Sequence, residues 1–399
     1  MFTFDFEIEE EENQIQFPSL PSKRDTAGSS TTAEYQAVDK SCHHLTLDDL
    51  MKTLPDAISY SPLHHPSLDT PILRRDLFDA RFQLINRDFD DLKDSGTNQE
   101  EEYVDAKTDL IPGLYEGGLK SWEGGVDLVE VLCHFVNKRQ LGDGQDNALG
   151  EWVQGGKVLE IGCGTALPTA YLLRCLLSSP FSSTNHNTIF HLQDYNLLVL
   201  SLVTLPNLIL ASLPFLPPEV LRLPEEGDEP IETVVPDLEE PGSLRLNSGL
   251  LDAFRALLDE RRIELRFTYG HWEGLSKELA ERKEGYGLVL TAETIYSQEN
   301  TPALVKLLRE AVKEPHVIKH NDIQLESSLE DLKVNDSWSE EPLRNTTSGS
   351  VLVAAKILYF GVGGGLQDFL EVIKTSGAHY STVKEWTQGV GRKVVQVAW

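Results

Sequence analysis

"GGKVLEIGCGTALPTAYLL", residues 155–173, decides the fold. Val158 to Ile161 is a short apolar run carrying one acid, Glu160. It stops at Gly162-Cys163-Gly164 and gives way to a helical pattern. A strand that ends on glycines with a helix directly behind lets a ligand approach the backbone, with helix N–H groups facing it. The dinucleotide fingerprint needs a third glycine where Leu167 stands, and no lysine follows to form a phosphate loop. A bare tight turn is the plain alternative.

Outward from this stretch, apolar runs and helical patterns alternate. Strands are expected at 157–161, 187–192, 263–268, 286–291, 350–358, 380–385 and 393–398. Helices are expected at 167–177, 195–212, 250–258, 299–312 and 364–375, with an amphipathic helix starting near Gly125. Strands alternating with helices imply an α/β fold with helices on both sheet faces. The last two strands have no helix between them. The expectation is a seven-strand Rossmann-like sheet, mostly parallel, closed by a C-terminal antiparallel hairpin.

The chain has 399 residues, of which 40% are apolar, and a formal net charge of −29. That apolar content supplies a full-sized core. Residues 109–399 are read as the folded domain, with polar insertions at 217–243 and 314–350 expected to be flexible. Residues 1–108 contain "EIEEEEN", "AGSSTTAE" and "YSPLHHPSLDTP" and are read as a mostly disordered acidic region. Its exception is a short docking helix at 73–85, with Leu77, Phe78, Phe82 and Ile85 on one face. No apolar run of 18 residues and no basic-then-apolar start is visible, so neither membrane spanning nor secretion is expected. Cys42, Cys133, Cys163 and Cys175 have no metal-ligand or redox spacing and are read as free thiols in a reducing compartment. The acidity speaks against direct nucleic-acid binding and suits a basic partner.

Candidate ligand positions fall at the expected strand ends, the edge where such sheets bind ligands. Gly162 and Gly164 end the first strand. "LQDYN" ends the second, where Asp194 can accept from two ribose hydroxyls and Tyr195 can flank an adenine; Asp194 as a helix cap is the simpler alternative. "YGHW" ends the third, with Gly270 for backbone access, His271 beside it and Trp272 as a flat apolar face. "TAETIY" ends the fourth, with Glu293 and Tyr296 placed for an acceptor. His191 reads as a core histidine. His43-His44 and His64-His65 fall in the acidic region, so no metal site is expected.

"YEGGLKSWEGGVDLV", "LEIGCGTALP", "LQDYN", "VTLPN", "LTAETIYS" and "KILYFGVGGG" together resemble the eukaryotic protein-histidine N-methyltransferases. The resemblance covers roughly residues 109–399. It implies the seven-strand methyltransferase fold and S-adenosylmethionine as cofactor. It implies that Ser121, Trp122, Glu123, Gly124 and Gly125 line the cofactor together with Glu160, Gly162, Gly164, Gln193, Asp194, Tyr195, Gly270, His271, Trp272, Thr291 and Ala292. Glu293 and Tyr296 match an acid-x-x-Tyr element at the acceptor. The implied reaction is methyl transfer to the tele nitrogen of a histidine in a large-subunit ribosomal protein, with a role in ribosome assembly or translation. The chain is then expected to act as a monomer, in the cytoplasm and nucleus, with a basic ribosomal protein as partner. A lysine methyltransferase of the same sheet type and a non-catalytic, cofactor-binding assembly factor are the alternatives.

Overall fold

The computed structural model describes residues 40–83, 110–111, 115–137, 145–181, 186–221, 237–312, 337–338, 349–359 and 364–399. Among the described residues the main sheet has nine strands, in the order β1 (Cys42–Leu45), β9 (Ile263–Gly270), β7 (Thr188–Asp194), β6 (Lys157–Ile161), β10 (Leu288–Ala292), β12 (Ser350–Lys356), β14 (Arg392–Ala398), β13 (His379–Trp386) and β11 (Ser337–Trp338), while β4 (Leu110–Ile111) and β5 (Tyr115–Glu116) pair separately. Five of them, β9 (Ile263–Gly270), β7 (Thr188–Asp194), β6 (Lys157–Ile161), β10 (Leu288–Ala292) and β12 (Ser350–Lys356), run parallel. Next to β12 the closing hairpin of β13 (His379–Trp386) and β14 (Arg392–Ala398) inserts β14 antiparallel to both neighbours. These seven strands form the mostly parallel sheet with a C-terminal antiparallel hairpin that the alternating pattern implies. β1 (Cys42–Leu45) and β11 (Ser337–Trp338) extend it at its two edges.

The central strands are apolar because both faces are covered. β6, β7 and β12 carry buried residues almost throughout, such as Leu159, Phe190 and Val353. Helices Leu167–Ser178 and Leu197–Phe215 pack into the core on one side. Leu197–Phe215 is long and apolar enough to cross a membrane, yet 83% of its apolar window is buried inside the fold. Thr301–Ala311 and Leu366–Thr375 build the core on the other side with Leu304, Leu308, Phe369 and Ile373.

Residues 40–83 differ from the mostly disordered reading of 1–108. β1 pairs antiparallel with β9 along Cys42–Leu45. β2 (Ala57–Leu63) and β3 (Ile72–Arg75) form a small sheet with β8 (Gly242–Arg245) in the order β3-β2-β8. The buried Arg75 donates through Nη1 to Leu202 O at 2.7 Å and through its backbone N–H to Asn207 Oδ1 at 2.7 Å, tying this layer to helix Leu197–Phe215. Such strands are short, polar on one side and bounded by prolines, which hides them from a composition-based reading. The helix expected at 73–85 starts instead at residue 77, after β3, and Phe78 and Phe82 on it are exposed. Residues 1–39 and 84–109 lie outside the described residues, as do 222–236 and most of the 314–350 insertion.

Helix Trp272–Arg282 follows β9 and has no counterpart in the expected elements. It is polar overall, burying only Leu275, Ser276 and Leu279, so its apolar stripe is too thin to register in sequence. His191 is a core residue as expected. Its Nδ1 lies 2.6 Å from the Tyr286 hydroxyl and its Nε2 2.7 Å from Thr268 Oγ1. Burial holds it neutral, with a pKa lowered to about 3.

Candidate functional site

β6, β7 and β10 end side by side, and a cavity opens across their carboxyl ends. The turn after β6 needs its glycines. Gly162 and Gly164 sit at φ +59° and +51°, in the left-handed region that glycine enters freely. A Cβ on Gly162 would lie 2.5 Å from Thr294 Cγ2, and one on Gly164 would lie 3.2 Å from Gly118 O. Ala166 also adopts a left-handed conformation, φ +51°, at the cap of helix Leu167–Ser178. It replaces the glycine such a turn favours, at a cost of about 1–2 kcal/mol.

Glu160 is buried, and its Oε2 accepts from the Thr169 backbone N–H at 3.0 Å and from the Thr169 hydroxyl. It therefore caps the start of helix Leu167–Ser178 from inside the preceding strand. Burial pushes its carboxyl up to about 8, against the lowering effect of the Thr169 hydrogen bonds.

At the tip of β7, the Asp194 carboxylate accepts from Gly164 N–H at 3.0 Å and from Asn196 N–H at 3.1 Å. Asn196, not Asp194, caps the helix that follows by accepting from Leu198 N–H at 2.9 Å. Asp194 is thus held across two loops at the cavity wall. Gln193 braces the same corner. Its Oε1 accepts from Gly162 N–H at 3.2 Å and from Trp272 Nε1 at 3.0 Å, and its Nε2 donates to Gly270 O at 3.0 Å. Gln193 is a brace behind the cavity wall, while Trp272 lines the cavity itself.

Gly270, expected to give a ligand backbone access, serves β1 instead. It sits at φ +106°, and a Cβ there would lie 2.6 Å from Ser41 O. His271 caps helix Trp272–Arg282 by accepting from Glu273 N–H at 3.1 Å through Nδ1, and its ring meets Tyr195 edge-on.

At the end of β10, Glu293 holds φ +56°, a strained conformation for a side-chain-bearing residue. Its Oε2 accepts from the Tyr359 hydroxyl at 2.6 Å. Its Oε1 is buried without a hydrogen-bond partner among the described residues. Burial raises the Glu293 carboxyl above the ordinary range, opposed by the Tyr359 hydrogen bond and by Lys356. Gly124 lies against this oxygen, and a Cβ there would sit 3.0 Å from Oε1. Tyr296 lines the same cavity, and Gly364 lets the chain after Tyr359 pass close to Tyr296 O.

The helix from Glu123 begins two residues earlier than expected and brings Trp122 and Gly125 to the cavity. Ser121 donates to Thr165 Oγ1 at 3.2 Å. Lys120 and Lys356 both lie over the Trp122 ring, at 4.6 and 4.8 Å from its centroid. Lys356 also pairs with Glu123 at 3.5 Å. Cations and carboxylates therefore meet at this end of the cavity, Lys120 and Lys356 beside Glu123 and Glu293.

Of the residues expected from sequence, Trp122, Gly125, Glu160, Gly162, Gly164, Asp194, Tyr195, Trp272, Ala292, Glu293 and Tyr296 line one cavity. Ser121, Glu123, Gly124, Gln193, Gly270, His271 and Thr291 stand behind or beside it. Thr291 is buried and hydrogen-bonded to Ile161 O and Thr294 Oγ1. Sequence reasoning missed Gly118, Lys120, Asn196, Val199 and Thr294 on the wall, and Tyr359 behind Glu293. Tyr359 lies within the quoted "KILYFGVGGG", so a signal was present without an assigned role.

Comparison with known proteins gives a consistent picture. No protein-family model matches the chain. Histidine protein methyltransferase 1 of Saccharomyces cerevisiae is 30% identical over 331 residues, covering 81% of this chain and 74% of that protein. The protein of the same name from Schizosaccharomyces pombe is 28% identical over 357 residues, covering 88% and 83%. A Bos taurus homologue is 26% identical over 377 residues, covering 92% and 76%. A solved S-adenosylmethionine-dependent methyltransferase from Agrobacterium tumefaciens superposes with a TM-score of 0.36 at 8% identity, over 85% of this chain and 69% of that one. A likeness that low adds no weight.

Proposed function

Because this chain belongs to the histidine protein methyltransferase family, we propose that it methylates the tele nitrogen of a histidine in a basic protein of the large ribosomal subunit. The observation that carries the chemistry is Glu293, with one carboxylate oxygen held by Tyr359 and the other buried at the cavity edge without a partner among the described residues. The family supports histidine as the acceptor.

The residues present fit S-adenosylmethionine. Gly162 and Gly164 form a cradle that a Cβ would fill, and Asp194 stands on the cavity wall at the strand tip, where such sheets hold a ribose. Tyr195 and Trp272 offer ring faces and edges for an adenine. When bound, this cofactor supplies a methyl group on a sulfonium, open to in-line displacement.

What remains for the protein is alignment. A histidine side chain has an ordinary pKa near 6.5, so at neutral pH it is largely uncharged and needs no base to become nucleophilic. It must present the correct tautomer. Glu293 Oε1 accepts from the ring N–H remote from the methyl group, leaving the tele nitrogen's lone pair directed at the donor. Tyr359 fixes the carboxylate, and the strained backbone at Glu293 sets its direction. An orienting carboxylate of this kind fixes a histidine tautomer in hydrolytic triads.

A net charge of −29 suits a basic ribosomal protein as substrate, met in the cytoplasm or nucleus before it is buried in the particle. The test is to incubate the purified protein with radiolabelled S-adenosylmethionine and ribosomal proteins from cells lacking the activity. Label on one large-subunit protein, formed roughly 10²-fold more slowly with Glu293→Ala, is expected. Label confined to other proteins overturns the substrate assignment.

A further inference from the structure

Away from the cavity, three side chains with metal-ligand chemistry converge at the sheet edge. Cys42 and His44 lie two residues apart on β1 and so project from the same face. Helix Trp272–Arg282 packs beside that face and supplies Glu278. The ligand atoms of Cys42, His44 and Glu278 all lie within 4.8 Å of one another. Glu278 Oε2 is 2.7 Å from His44 Nε2 and 3.6 Å from Cys42 Sγ. The close approach depends on Gly274, where a Cβ would lie 2.5 Å from Cys42 N.

We propose that Cys42, His44 and Glu278 form a zinc site that staples β1 to helix Trp272–Arg282. One thiolate, one imidazole and one carboxylate make a donor set that zinc accepts, with water as a fourth ligand. On binding, the Cys42 thiol gives its proton to solvent as the sulfur–metal bond forms.

The surroundings support a ligating histidine. A metal-bound imidazole characteristically donates its other N–H to a fixed acceptor. His44 Nδ1 lies 2.9 Å from Thr268 Oγ1, which in turn lies 2.7 Å from His191 Nε2, and His191 Nδ1 lies 2.6 Å from the Tyr286 hydroxyl. The chain Tyr286–His191–Thr268–His44 can run in either direction, because both hydroxyls donate or accept. Without metal, His44 donates from Nε2 to Glu278. With metal, His44 donates from Nδ1 to Thr268 and frees Nε2 to ligate. Arg282 holds the second oxygen of Glu278 at 3.0 Å, leaving Oε2 for the ion.

The site lies one step from the cavity. Ser41 O accepts from His271 N–H at 2.9 Å and Lys40 pairs with Glu273 at 2.7 Å, both adjoining Trp272. An ion at the staple therefore braces the loop that carries Trp272 to the cavity wall.

Cobalt(II) titration of the full-length reduced protein tests this. One equivalent is expected to bind with a near-ultraviolet thiolate-to-cobalt charge-transfer band that zinc abolishes by displacement. Cys42→Ser removes the band, His44→Ala and Glu278→Gln weaken binding at least tenfold, and His43→Ala, whose ring stacks on Tyr269, retains it. Zinc is also expected to raise the melting temperature of wild type and of His43→Ala but not of Cys42→Ser. Absence of stoichiometric binding to the folded wild-type protein overturns the site. So does binding that survives both Cys42→Ser and His44→Ala. Glu278→Gln lies on a partly exposed helix face and tests the ligand set if a β1 variant fails to fold.

Discussion

The Tyr359 hydroxyl donates to Glu293 Oε2 at 2.6 Å and leaves the Oε1 of the same carboxylate buried without a partner among the described residues. The two residues stand at the ends of adjacent parallel strands, β10 and β12. One oxygen is therefore fixed and the other is presented. That division of labour predicts unequal effects of mutation. Glu293→Ala is expected to lower kcat by roughly 10²-fold through misorientation of the acceptor. Tyr359→Phe is expected to lower it by roughly 10-fold, the worth of one hydrogen bond to a charged group. Steady-state kinetics with melting curves checks both; equal losses from the two variants contradict the arrangement.

The pH dependence follows from the same pair. Burial raises the Glu293 carboxyl, and the Tyr359 hydrogen bond pulls it back. Glu293 must be ionised to accept the ring N–H, so kcat/KM falls as pH drops through its pKa. Removing the hydroxyl in Tyr359→Phe moves that acidic limb to higher pH. A profile of kcat/KM against pH for both proteins, with the same substrate, isolates the shift, because the substrate's own titration is common to both. A limb that moves to lower pH contradicts the assignment.

Glu160 predicts a separate effect on stability. Its carboxyl ionises at about 8 when folded and near 4.5 when exposed. Between those values the folded chain keeps a proton that the unfolded chain has released, so this group's stabilisation, complete below pH 4.5, is lost as pH rises toward 8. The slope is up to ~1.4 kcal/mol per pH unit. Glu160→Gln keeps an oxygen to accept from Thr169 and removes the titration. Denaturant midpoints from pH 5 to 9 are expected to fall less steeply for the variant than for wild type.

Gly162 predicts a coupled pair. Gly162→Ala imposes a left-handed backbone cost of about 1–2 kcal/mol and a clash with Thr294 Cγ2 at 2.5 Å. Thr294→Ser removes that methyl and is expected to recover the steric part of the loss only. A double-mutant cycle on thermal stability gives a non-zero coupling energy if the contact is real. Strict additivity contradicts it.

Much of this site was legible because strand ends punctuate sequence sharply. Gly162, Asp194, Trp272 and Glu293 each close an apolar run, and all four line the cavity. What stayed hidden depends on chain segments distant in sequence. Gly270 looks like a ligand-access glycine, yet its partner is Ser41, more than two hundred residues away and in a segment too polar to read as a strand. Tyr359 is one aromatic among many until β12 places it beside Glu293. Ala166 hides a left-handed turn behind a residue that ordinarily favours helix. Cys42, His44 and Glu278 have no motif spacing, because only the pairing of β1 with β9 brings them together.

The central claim is histidine methylation, and the most direct measurement is the identity of the modified amino acid. A substrate protein labelled from radioactive S-adenosylmethionine by the wild-type enzyme would be hydrolysed to amino acids and resolved against methylated standards. The expected result is label in tele-methylhistidine alone, accumulating roughly 10²-fold more slowly with Glu293→Ala. Label in methyl-lysine, or in the other methylhistidine isomer, would contradict the account.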